Sequence, residues 1–234
     1  MDLIIYVCTL LVGFGVSLFW KPGYPWVEKP ARLYLWLVLL WVVTIWVYYF
    51  AGIKNTTVLQ VMGPAIKWVA SAAHLILGYL VGRLAMDRNT SSRTALNITL
   101  LALSISVGNT FLVATVGKSV NFPYMTSFFM QSGYAIWFLY FIMIVETLGA
   151  IGVLTHFKLK MGIFATVGLA LIMLGAVYTH WHNGDPFSDS YSAVNVLISL
   201  SLLLFLYFLE KINLAASHGQ PQSSSLTSPG GNDR

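Results

Sequence analysis

The sequence predicts an all-α polytopic membrane helix bundle with seven transmembrane helices, and three observations lead there. The chain is 57% hydrophobic and 9% charged with a mean hydropathy of +0.75, far outside the range of a soluble domain of 234 residues. A spanning helix needs about 20 mostly apolar residues, and seven such runs are present, at 3–20, 33–53, 65–86, 94–116, 134–155, 161–179 and 191–209. The runs lack the period-two alternation of an outer-membrane barrel.

The first run lacks the basic leader and small-residue cleavage site of a signal peptide, since Met1 and Asp2 precede it and Phe19, Trp20 and Lys21 close it; it reads as a retained span. Cys8, the single cysteine, lies within it, so no internal disulfide or thiolate metal cluster is expected. The second run carries Trp36, Trp41 and Trp46, whose spacing of five keeps no single helix face, so they are expected to spread over lipid and neighbouring helices. The third carries His74 and the close-packing pair Gly78 and Gly82. The hydrophilic break at 87–93 divides a three-helix segment, 1–86, from a four-helix module, 94–211, and the Ser, Gly, Pro and Gln-rich stretch 215–234 reads as a disordered tail. The connection 117–133 is the longest between spans. Its Phe122, Tyr124, Phe128 and Phe129 suit an interfacial or re-entrant segment, with an ordinary covering loop as the alternative.

Charge sets the expected orientation. With the amino terminus outside, Lys21, Lys29, Arg32, Arg83, Arg88, Arg93, Lys158, Lys160, Lys211 and Arg234 fall on the inner side, and only Lys54, Lys67 and Lys118 on the outer. The positive-inside rule then places the carboxyl terminus in the cytoplasm. The net charge of +5 is a topology signal plus attraction to anionic lipid headgroups, so no nucleic-acid partner is expected. The bilayer itself and other membrane subunits are the expected partners.

Glu146 is the one charge in the run 134–155. A carboxyl at that depth costs several kcal/mol unless it is paired, hydrogen-bonded or protonated. It shares a helix face with Ile142, Met143, Gly149 and Ala150, so it is expected to face the bundle interior where another backbone approaches closely. If no cation is near, desolvation favours the neutral acid, which can donate a hydrogen bond or exchange a proton; the alternative is a glutamate that only holds helices in register. His180, His182 and Asp185 close the sixth run. Their spacing matches no closed zinc pattern, and a polar cap or a proton-accessible route into a pocket ranks above metal binding; no metal site is assigned. His74 lies mid-helix without a second histidine at matching depth for a bis-histidine haem, which leaves it as an interhelical hydrogen bonder. The sequence carries no phosphate loop, nucleophile elbow, dinucleotide fingerprint or paired broken helices.

Four stretches carry a family resemblance: 111–118 (FLVATVGK), 144–154 (IVETLGAIGVL), 168–180 (GLALIMLGAVYTH) with the following Gly184 and Asp185, and a closing hydrophobic helix. Through them, 95–211 resembles the DoxX-like integral membrane proteins, four-helix bundles found mostly in bacteria, while the three amino-terminal helices form an extension outside the pattern. The resemblance implies a bacterial cytoplasmic membrane and Lys118, Glu146 and His180 as the shared polar positions. It also implies association with quinone-linked sulfur oxidation, with membrane complexes handling oxidative stress or, in distant eukaryotic relatives, with receptor assembly. No intrinsic cofactor is evident, and a quinone is the expected exogenous one. Two function classes follow: a membrane subunit of a quinone-linked redox complex, or a non-catalytic scaffold or assembly subunit. A proton-coupled carrier, resting on the buried acid alone, is a weaker third. The first two part on whether Glu146 and His180 line one pocket.

Overall fold

The computed structural model describes residues 2–19, 27–52, 56–86 and 92–218. The helices are α1 (Asp2–Phe19), α2 (Glu28–Gly52), α3 (Thr56–Met86), α4 (Ser92–Val120), α5 (Phe122–Gln131), α6 (Ile136–Leu154), α7 (His156–Leu159), α8 (Gly162–His182) and α9 (Tyr191–His218), the last preceded by a 3-10 turn at Phe187–Ser190. No strand occurs among the described residues. Among the described residues six helices, α2, α3, α4, α6, α8 and α9, contain stretches long and apolar enough to cross a membrane. The first of the seven expected spans is a shorter apolar helix, Leu3–Phe19. At 1.5 Å per residue it reaches about 26 Å, a little less than the hydrocarbon thickness. The breaks at 87–91 and 219–234, including most of the expected tail, lie outside the described residues.

The core is a leucine-rich seam shared by both halves of the chain. Leu80 of α3, Leu96, Leu100 and Leu103 of α4, and Leu200, Leu203 and Leu206 of α9 are fully or almost fully buried in one cluster, with Tyr34 and Val38 of α2 packed into it. Large apolar side chains also cover the outside: Trp36, Trp68, Trp137, Trp181, Phe164 and Leu171 are all exposed. Helices apolar on every side need an apolar surround, so this exterior is the lipid-facing surface of an integral membrane protein. The tryptophans of α2 divide as expected: Trp36 faces outward, whereas Trp46 donates from Nε1 to Asn109 Oδ1 at 2.8 Å on α4.

The amino-terminal helices dock through missing side chains. A Cβ on Gly13 of α1 would run into the Leu75 carbonyl of α3, and a Cβ on Gly78 of α3 into the Leu10 carbonyl of α1, so backbone meets backbone where the two helices cross. Gly82, the second residue of the small pair, accommodates Ser17. α2 then lies against both α3 and α4. The connection 117–133 is mostly helical rather than an ordinary loop: α4 runs on to Val120, and Asn121 with Pro123 in the first turn starts the short helix α5. Of its four aromatics expected at the interface, Tyr124 is exposed but Phe129 is buried, because α5 roofs the bundle and turns that ring inward.

The crossing geometry sets an expected outcome. Gly78→Ala lowers stability by about 1–3 kcal/mol through overpacking, read as the midpoint of denaturation in mixed micelles. Gly15→Ala, whose new Cβ meets nothing within 4 Å, leaves the midpoint unchanged; equal midpoints for the two variants would contradict this α1–α3 contact.

Candidate functional site

The site is built by α4, α5, α6 and α8, and it begins with the buried acid. Glu146 lies mid-way along α6 on a face lined with Ala150 and Val153, both buried, and only 2% of its side chain is exposed. The sequence leaves open whether a cation is near, and the structure supplies one. Lys118, in the last turn of α4, bends back into the bundle, and its Nζ donates to Glu146 Oε1 at 2.8 Å and Oε2 at 2.6 Å. Thr115, one turn earlier on α4, points its hydroxyl at Oε2 from 3.5 Å. The condition under which the acid would be neutral, that no cation is near, is not met, and Glu146 forms a bidentate ion pair. In low dielectric such a pair persists because removing either partner strands the other charge, at about 3–5 kcal/mol.

From this pair a cavity of about 410 Å³ extends between α5, α6 and α8. Phe128 and Phe129 of α5, Phe138 and Phe141 of α6, and Leu171 and Met173 of α8 make its walls, and Tyr134, Thr179 and His180 line it beyond Phe138. Phe138 precedes Glu146 by eight residues on α6, about 12 Å along the helix, so the cavity is elongated, with an ionic end and a neutral polar end. At the neutral end Thr179 donates to the Gly175 carbonyl at 2.9 Å. Its single proton is then committed, so Tyr134 is the donor in the 2.9 Å Tyr134–Thr179 contact.

The turn after α8 holds His180 in place. Gly184 adopts φ +73°, the left-handed conformation that glycine takes without strain, and the Asp185 backbone N–H donates to the His180 carbonyl at 3.0 Å. This reversal swings the Asp185 carboxylate to 2.8 Å from His180 Nδ1. Nδ1 therefore carries the proton, and Nε2 is the ring's remaining polar atom. Phe128 packs on the imidazole at 5.5 Å between ring centroids. Asp185 also lines a separate polar recess with Gln131, Ser132, His182 and Asn183, where Asn183 Nδ2 donates to Ser132 Oγ at 2.8 Å and ties the end of α8 to the end of α5. His182 stacks on Tyr178, so the two histidines two apart in sequence do not converge.

Of the four singled-out residues, Lys118, Glu146 and His180 line this cavity, and His74 lies elsewhere. Its expected interhelical hydrogen bond is corrected: Nδ1 pairs with the Ala70 carbonyl of its own helix at 2.7 Å, and the contact to a neighbouring helix is a stack on Tyr6 of α1, 4.8 Å apart and 12° from parallel. Thr179 was legible beside His180 at the end of the sixth run, whereas Thr115 and Tyr134 were not singled out, because an isolated hydroxyl carries no spacing signal, although Thr115 lies three residues from Lys118 on one helix face. A second pair also escaped it: His156 of α7, buried, meets Glu210 of α9 at 3.1 Å.

The ion pair predicts an asymmetry in mutants. Glu146→Gln and Lys118→Met each reduce folded yield and stability, by about 3–5 kcal/mol, and the double variant recovers most of the loss. Thermal unfolding of the four proteins in detergent measures it, and strictly additive losses would refute a coupled pair.

Residues 102–206, from within α4 to near the middle of α9, match the model of the DoxX-like family. No curated protein and no solved structure matches the chain. Lys118, Glu146, His180 and the aromatic walls all fall inside the matched segment, and α1–α3 fall before it. The segment of this integral membrane protein that matches the DoxX-like family model is the one that builds the ion pair and its cavity.

Proposed function

We propose that this chain is a membrane subunit of a quinone-linked redox complex, with the cavity between α5, α6 and α8 as the quinone site. The observation that supports the reading is that Glu146 and His180 line one cavity rather than separate packed interfaces. The volume of about 410 Å³ is in the range of small-molecule pockets. Its apolar slot, with the Lys118 ammonium as a donor at one end and His180 Nε2 as an acceptor at the other, suits a ring with an oxygen at each end, the hydroxyl of the reduced form meeting Nε2. A bound quinone would supply two-electron, two-proton redox chemistry, with the electrons exchanged with a partner subunit.

The residues divide the remaining work. Lys118 spends two N–H groups on Glu146 and keeps a third, which can donate to a carbonyl oxygen. Glu146 fixes that ammonium and is a proton acceptor at the same end. His180 offers Nε2 to the cavity while Nδ1–H stays on Asp185. A proton taken at Nε2 leaves from Nδ1 to Asp185 and then to the polar recess that Asp185 lines. Phe128, Phe138 and Phe141 exclude water from the ring between.

We further propose a bacterial cytoplasmic membrane with the amino terminus outside, and the charge distribution supports that orientation. The starts of α4 and α8 and the ends of α6 and α9 share one end of the bundle, and that end carries Arg93, Lys158, Lys160 and Lys211. The polar recess then opens on the outer side.

Gentle purification from the native membrane, with mass spectrometry of co-purifying proteins and extracted quinones, tests the function. An oxidoreductase partner with about one quinone per chain is expected, and Ala176→Trp, which fills the cavity, removes the quinone while the complex stays assembled. A large non-redox partner with no quinone would make the chain a scaffold. Reporter fusions in 87–93 are expected to be cytoplasmic, and an external signal there refutes the orientation.

A further inference from the structure

A second cavity, of about 150 Å³, lies where the amino-terminal helices meet the DoxX-like segment. Tyr6 of α1, Tyr34 and Trp41 of α2 and His74 of α3 form one side, and Ser106 of α4 and Asn195 of α9 belong to the other. Neither Lys118, Glu146 nor His180 touches it. α1–α3 thus enclose a face of α4 and α9 that would otherwise meet lipid.

Its walls hold more hydrogen-bonding capacity than they use. Tyr34 is 2% exposed, and its hydroxyl has no hydrogen-bond partner among the described residues. His74 commits Nδ1–H to Ala70, which leaves Nε2 as an acceptor. The indole N–H of Trp41 and the side chains of Ser106 and Asn195 likewise lack protein partners among the described residues. Tyr34 is buried and Trp41, His74, Ser106 and Asn195 are half-buried around the cavity; polar groups drawn in from solvent are almost always satisfied, so this cluster points to an occupant that both accepts and donates hydrogen bonds. Among the described residues no Asp, Glu, Lys or Arg lines the cavity, and a bare charge inside it would go uncompensated; the occupant is neutral. An apolar cavity of about this size holds a benzene ring, and the Tyr6–His74 stack gives this one a flat aromatic wall.

We propose that this chamber is a second binding site, separate from the Lys118–Glu146 cavity, for one uncharged hydroxyl-bearing ring of the phenol class. Tyr34 and Trp41 donate to the hydroxyl oxygen, and His74 Nε2 accepts its proton in a hydrogen bond. The proposal stands apart from the quinone reading, since it uses none of the same side chains and assigns the extension a role of its own: completing a neutral site.

The full chain in lipid nanodiscs, titrated with 4-fluorophenol and followed by fluorine NMR, tests it. Partition into lipid is linear in concentration, whereas the chamber adds a saturable component of about one equivalent per chain. Tyr34→Phe keeps the ring and is expected to weaken that component by about fivefold to tenfold; Ser106→Leu fills the chamber and abolishes it. 4-Fluorobenzoate shows no saturable component in the wild type. Uptake equal to that of empty nanodiscs would leave the chamber to ordered water and overturn the proposal. Saturable binding unchanged in Tyr34→Phe would overturn it too, by placing the ligand elsewhere, and this variant decides the matter if Ser106→Leu does not fold.

Discussion

The organisation of the family-matched segment follows from one constraint: Glu146 and Lys118 lie where neither can be left without the other. Water satisfies a lone carboxylate or ammonium on a soluble protein, and lipid does not. Two hydrogen bonds from one ammonium to one carboxylate therefore fix α4 against α6 more tightly than leucine contacts do, because lipid tails compete with apolar packing and not with a charge pair. The pair also keeps open the space beside it. A helix packed flush across α6 would have to desolvate the ions further, and the cavity that remains is walled instead by aromatic side chains that stop short of them.

The second organising feature is α5. A ten-residue helix lying over a bundle has little stability of its own, and this one is held by contacts at its far end: Phe129 buried, Phe128 against His180, and Ser132 tied to Asn183. These contacts gather at the turn after α8, where Gly184 lets the chain reverse and Asp185 reach His180. The turn, the roof and the imidazole form one unit, so a change in any of them is felt at the same end of the cavity. The ionic and neutral ends consequently respond to different parts of the chain.

The two chambers differ in kind. One is ionic at its end, large, and contained in the family-matched segment; the other is neutral, small, and half built by helices outside that segment. α1 reaches its place through bare backbone contact at Gly13 and Gly78, which carries Tyr6 onto His74. Helix crossings without side chains between them leave no slack, so the small chamber is as well defined as the crossing that forms it.

The helices were legible in the sequence because apolar length is a local property: each run of about 20 residues reports its own cost of leaving lipid, whatever its neighbours do. Glu146 was legible for the same reason, as a lone charge in such a run, and so was its inward face, from Gly149 and Ala150 beside it. The length shortfall of α1, the helical form of α5 and the turned-in Phe129 were not, since short apolar stretches take their conformation from the surfaces they cover. Above all, the partner of Glu146 lies 28 residues away on another helix, and no local pattern joins an end-of-helix lysine to a mid-helix acid. Sequence alone determined that this is a helical membrane protein with a costly buried carboxyl; only tertiary structure decided that the carboxyl is paired and that His180 shares its cavity while His74 does not, because pairing and enclosure depend on the depth and rotation of separate helices.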